Sequence, residues 1–111
     1  MQVVFYGTPE FAVPTLDALV AAGHAVVLVV SQPDRPAGRG NTLTAPPVAL
    51  RAKALGLPLV QPKAVRSGPF PERVAGLGAD VAVVVAYGRI LTPLLLGAPR
   101  LGCVNVHASL L

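Results

Sequence analysis

The chain has 111 residues, 53% of them apolar and only 13% charged, with a formal net charge of +4. That length allows one modest core. The apolar excess calls for a sheet covered on both faces, or for a piece of a larger domain. A single cysteine, Cys103, rules out an internal disulfide and points to a reducing compartment. It is expected inside the last strand as a small buried apolar residue. The longest apolar stretch, Ala79 to Tyr87, contains Asp80 and ends at Gly88, too short for a membrane span. Met1-Gln2-Val3 has no basic region of the kind that opens a secretory signal. The positive charge favours a polyanionic partner without requiring one.

In chain order, Gln2 to Tyr6 reads as a buried strand, and Gly7-Thr8-Pro9-Glu10 as the loop after it. Phe11 to Ala22 has apolar residues near helical spacing at Phe11, Leu16, Leu19 and Val20, with Pro14 in its first turn and Gly23 just beyond its end. Ala25 to Val30 is a second strand. Ser31 to Pro47, rich in Pro, Gly and Arg, is too irregular for helix or strand and is expected as a long loop. Val48 to Leu55 forms a short helix after Pro46-Pro47, stopped by Gly56. Leu57 to Val60 is a third strand. Glu72 to Leu77 is the middle of a helix, and Val81 to Ala86 a continuous β-branched strand. Leu91 to Leu96 is helical with Pro93 in its first turn, and Leu101 to Val106 is the fifth strand.

Strands of continuous apolar residues alternating with helices specify an α/β fold with a doubly wound parallel sheet. Right-handed crossovers give the strand order 3-2-1-4-5. Ligands of such sheets bind beyond the carboxyl ends of the strands, near the switch between strands 1 and 4. Gly7-Thr8-Pro9, Tyr87-Gly88 and Asn105-Val106-His107 all fall at carboxyl ends, so three signals converge on one crevice.

Asn105 and His107 are two apart at the end of a strand, and a period of two puts both on one face. An amide beside an imidazole that titrates near neutrality suits acyl transfer: one donates to a developing oxyanion, the other moves a proton. The bland alternative is a pair satisfying backbone groups at a strand end. Gly7-Thr8-Pro9-Glu10-Phe11 lies where a dinucleotide fold carries its phosphate loop but lacks the G-x-G-x-x-G spacing, so a nicotinamide or nucleotide-phosphate cofactor is not expected. It reads as a strand-to-helix turn or a ligand contact. Between Gly38 and Gly40, Arg39 suits a nucleic-acid phosphate as well as it suits a solvated loop. Around Tyr87-Gly88, glycine permits a flat ligand near the backbone, but these residues alone favour a plain strand-to-helix turn with Tyr87 and Ile90 packed in the core. Ser109 lacks a nucleophile's setting. His24, His107 and Cys103 offer no zinc set, and no metal is expected.

The segments Phe5-Tyr6-Gly7-Thr8-Pro9-Glu10-Phe11, Ser31 to Gly40, Val85-Ala86-Tyr87-Gly88 and Leu101 to Leu111 together resemble the amino-terminal part of the methionyl-tRNA formyltransferases. The Asn-x-His-x-Ser-Leu-Leu segment is shared by other transferases and hydrolases that use 10-formyltetrahydrofolate. The Arg35 to Gly40 loop resembles the tRNA-contacting insertion of the tRNA enzymes. The resemblance implies a Rossmann-like formyltransferase fold, of which residues 1–111 are the amino-terminal portion. It implies transfer of a formyl group from 10-formyltetrahydrofolate to methionyl-initiator tRNA in translation initiation, in the cytoplasm. Asn105 and His107 match the catalytic pair, and an Asp downstream of this chain would complete the site. Ser109, Leu110 and Leu111 match the folate-binding segment, with Tyr87 and Gly88 beside it. Arg39, with Arg35, matches the tRNA-binding loop. The other readings are a non-catalytic tRNA- or folate-binding fragment and a formyltetrahydrofolate hydrolase. The fifth strand is expected at a sheet edge, where unpaired backbone groups invite self-association.

Overall fold

The computed structural model describes residues 1–37, 40 and 42–106. Five strands form one parallel sheet: β1 (Gln2–Gly7), β2 (Ala25–Val30), β5 (Leu59–Val60), β6 (Val81–Val85) and β7 (Cys103–Asn105). Their order is β5-β2-β1-β6-β7, which is the expected 3-2-1-4-5. Two short strands, β3 (Arg35–Ala37) and β4 (Thr42–Thr44), pair antiparallel in a separate sheet. The segment expected to be too irregular for any strand therefore carries a hairpin.

Alternation along β1 divides the core. Val3 and Phe5 face a layer containing Leu16 of α1 (Val13–Ala21) and Val48 and Ala52 of α2 (Pro47–Ala54). Val4 and Tyr6 face Phe70 and Val74 of α3 (Pro69–Ala75) and Leu95 of α4 (Pro93–Gly97). Both sheet faces are thus covered, and central strands buried on both sides read as unbroken apolar runs. The β1–β2 register skips Val27, so Val27 and Leu28 both pack on the α3–α4 side before alternation resumes. Complete burial of Phe5, Leu16 and Leu28 contributes roughly 1.5–3 kcal/mol each before entropic costs.

Each described helix has a proline in its first turn. There the missing N–H removes no helical bond, and the fixed φ suits the helix. Gly23, at φ +86, ends α1, donating its N–H to the carbonyl of Val20.

The expected helix from Phe11 begins instead as a 3-10 turn, Glu10–Ala12, and Phe11 is half exposed. Ile90 is 89% exposed, whereas Tyr87 is buried, so only one of that pair packs in the core. Cys103 is half-buried rather than buried, because β7 lies at the sheet edge. No helix among the described residues is long and apolar enough to cross a membrane.

Candidate active site

The parallel strands deliver their following loops to one rim. Gly7 ends β1 against β6, where a Cβ would lie 2.7 Å from Phe5 Cε2 and 3.1 Å from the Val85 carbonyl oxygen. A side chain at this position would displace the buried Phe5 ring and crowd the Val85 carbonyl. Thr8, the next residue, joins three loops. Its hydroxyl donates to the Tyr87 carbonyl at 2.7 Å and accepts from the Gln32 backbone N–H at 3.4 Å. Gln61, after β5, donates its side-chain amide to the Gln32 carbonyl at 3.0 Å. Gln61, Gln32, Thr8 and Tyr87 thus form a hydrogen-bonded line that follows the sheet order β5-β2-β1-β6.

Above this line lies a hollow of about 460 Å³, lined among others by Thr8, Pro9, Gln32, Arg35, Tyr87 and Gly88. Gly88 is at φ +93, and a Cβ there would come within 3.0 Å of the Gln32 side-chain nitrogen, so the glycine makes room for Gln32. Ala86, at φ +49, turns the chain sharply after β6. A non-glycine residue in that region carries strain that its surroundings must hold. Beyond Ala86 and Tyr87 lies a second hollow of about 320 Å³, bordered by Phe11, Arg89 and Asn105. Asn105 is exposed, and β7 is held in register there by the Val106 N–H, which donates to the Val84 carbonyl at 2.8 Å. A third hollow of about 450 Å³ follows on the α3 side, with Lys63, Arg66, Ser67, Arg89 and Ile90 among its walls. Among the described residues, three cations and no carboxylate line it, and the Arg89 guanidinium donates to the Lys63 carbonyl.

Burial raises the Tyr6 hydroxyl well above the ordinary phenol range and also raises that of Tyr87, where Arg89 partly opposes the effect. Both stay protonated near neutrality; Tyr87 lines the crevice and Tyr6 packs in the core against it, their rings 5.5 Å apart in an edge-to-face pair. Burial also raises the Cys103 thiol, so it is not a thiolate nucleophile at neutral pH. Among the described residues no cluster of His, Cys, Asp and Glu has the makings of a metal site.

Of the residues singled out in the sequence, the structure brings Arg35, Tyr87 and Gly88 to one hollow and Asn105 to its neighbour. Arg39, His107, Ser109, Leu110 and Leu111 lie outside the described residues. Sequence reasoning missed Gln32, Gln61 and the Lys63–Arg66–Arg89 set. The two glutamines each stand at the carboxyl end of a strand and before a proline, which was the available signal.

A profile of the formyl transferase family matches residues 1–111. The chain belongs to the formyl transferase family. It is similar to the methionyl-tRNA formyltransferases of Sorangium cellulosum, 58% identical over the whole chain and 35% of that protein, and of Pelotomaculum thermopropionicum, 55% identical over the whole chain and 36% of that protein. The chain therefore spans about a third of the length of these relatives. Among solved structures it is similar to glycinamide ribonucleotide transformylase 1 from Geobacillus kaustophilus, with a TM-score of 0.64 and 25% identity, covering 99% of this chain and 58% of that one. The parallel sheet and its rim of loops are thus the formyl transferase fold, and the crevice described above lies on its carboxyl-end side.

Proposed function

We propose that these residues are the amino-terminal portion of the catalytic domain of a cytoplasmic methionyl-tRNA formyltransferase. The reaction moves a formyl group from N10 of 10-formyltetrahydrofolate to the amino group of methionine on initiator tRNA. The observation that carries this reading is the pair of hollows meeting at Ala86 and Tyr87, one beside Arg35 and the hairpin, the other beside Asn105. Two substrates entering from opposite sides meet over that turn. The tRNA acceptor end takes the Arg35 side, with Arg39 as a further phosphate contact. The folate takes the Asn105 side, reaching Tyr87 at the turn and Gly88 just past it on the Arg35 wall, with Ser109, Leu110 and Leu111 as its further contacts. The three cations of the adjoining hollow suit the glutamyl carboxylates of the donor.

In the reaction the methionyl amine attacks the formyl carbon, and its carbonyl oxygen becomes an oxyanion. The Asn105 side-chain amide donates a hydrogen bond to that oxyanion, and His107 handles the proton that leaves the amine and protonates N10 as the C–N10 bond breaks. An Asp beyond residue 111 would orient the imidazole. These steps need no metal. The edge strand β7, with Val104 52% exposed, favours self-association of the isolated 111 residues, which sedimentation at micromolar concentration tests.

The test of function is release of tetrahydrofolate by a full-length formyltransferase carrying these 111 residues. Release that requires methionyl-tRNA and leaves formyl on the methionine supports the proposal. Release independent of tRNA makes the protein a formyltetrahydrofolate hydrolase, and binding of either ligand without release makes it a non-catalytic module.

A further inference from the structure

The hairpin β3–β4 is a two-stranded sheet paired with no strand of the main sheet. Arg35, Pro36 and all of β4 are exposed. An arm with so little burial takes its direction from its base. The entry to that base is Gln32-Pro33-Asp34, and Pro33 has no N–H with which to pin the backbone. The side-chain amide of Gln61 does so from outside. Its nitrogen donates to the Gln32 carbonyl at 3.0 Å and to Asp34 Oδ1 at 2.7 Å, bridging the two sides of Pro33. Gln61 is itself fixed: it follows edge strand β5, where the Ser31 N–H donates to the Val60 carbonyl at 3.1 Å, and it precedes Pro62, which holds its backbone extended. The residue after Asp34 is Arg35, on the wall of the larger hollow.

We infer that Gln61 is a positioning residue for the polyanionic substrate, aiming the hairpin and Arg35 over the crevice through its bridge to Gln32 and Asp34. This role rests on the assignment of the Arg35 side to tRNA. Gln61 touches no reacting atom, so its loss acts on capture of the tRNA and leaves the chemical step and the folate site alone. A glutamine that merely tidied an edge strand would change stability without separating the two substrates.

The test uses a full-length formyltransferase carrying these 111 residues. Gln61→Met removes both bonds with no change of charge. Asp34→Asn is the companion variant: its side-chain oxygen still accepts from the Gln61 amide, so both bonds remain. Gln61→Met is expected to raise the KM for methionyl-tRNA about five- to tenfold, the scale of one or two lost hydrogen bonds. The kcat and the KM for 10-formyltetrahydrofolate stay within about twofold of the parent. Asp34→Asn keeps the tRNA KM within about twofold of the parent value. An unchanged tRNA KM in Gln61→Met overturns the inference, as does a loss shared by kcat and both KM values, or an Asp34→Asn variant as impaired as Gln61→Met. A parent that releases tetrahydrofolate equally well without tRNA overturns the functional reading itself, and is told apart because it appears before any substitution is made.

Discussion

Thr8 is one hydroxyl holding the ends of three strands together, and Thr8→Val is the cleanest perturbation of the crevice. Valine has nearly the shape of threonine but neither donates nor accepts. The 2.7 Å bond to the Tyr87 carbonyl is well formed, whereas the 3.4 Å bond from the Gln32 N–H is long and contributes little. Losing the first costs about 0.5–1.5 kcal/mol net, and leaving a part-buried carbonyl unpaired adds about 1 kcal/mol, the low end for an unsatisfied group, because water reaches the crevice. The sum is about 2 kcal/mol. In a domain of roughly 150–250 residues that lowers Tm by about 4–8 °C. Scanning calorimetry of a full-length formyltransferase carrying these residues measures the shift, and Thr8→Ser, which keeps the hydroxyl, should recover most of it. A Thr8→Val midpoint within about 1 °C of the parent would refute the claim that this hydroxyl ties the rim.

Three further outcomes follow from the same geometry. The backbone N–H of Gln2, and then Arg100, lower the Asp80 pKa below the ordinary carboxylate range. A depressed folded pKa gives stability that is complete above the unfolded carboxylate pKa and is lost as pH falls through the folded one. Asp80→Asn should therefore be less stable than the parent near neutrality, with the gap closing in acid; urea melts across pH check this, and a gap that widens in acid contradicts it. Arg35→Ala should weaken methionyl-tRNA binding and lower the log-log salt slope by roughly one unit, read by binding at several salt concentrations. Arg66→Ala should raise the KM for a glutamyl-bearing folate and leave that for tRNA near the parent value; the opposite pattern would assign the third hollow to the nucleic acid.

The strand order was legible because the central strands, buried on both faces, have no polar alternation to hide them. Val81–Val85 and Ala25–Val30 announce themselves by composition alone. Helix starts were legible through Pro14, Pro47 and Pro93, each placed where a proline costs no hydrogen bond. The hairpin was not. Both strands are only three residues long, and Arg35, Pro36 and Thr42-Leu43-Thr44 are exposed, so no core imprints a period on them. Phe11 and Ile90 misled for a related reason: both are apolar yet exposed near the hollows. At the site, the placement of Thr8, Tyr87 and Asn105 along one rim followed from the rule that parallel strands present their carboxyl ends together, although Thr8 and Asn105 border different hollows. The Gln61–Gln32–Thr8–Tyr87 line did not, because it joins side chains to backbone groups on strands far apart in sequence, and pattern alone does not report such pairs.

Donation by Asn105 to an oxyanion, proposed above, is decided by the single-turnover rate of formyl transfer to methionyl-tRNA in a full-length formyltransferase carrying these residues, with and without Asn105→Ala. The substitution should lower that rate by about 10²–10³, with the affinity for 10-formyltetrahydrofolate changed far less. A rate within about threefold of the parent would contradict it, placing Asn105 among residues that only finish a strand.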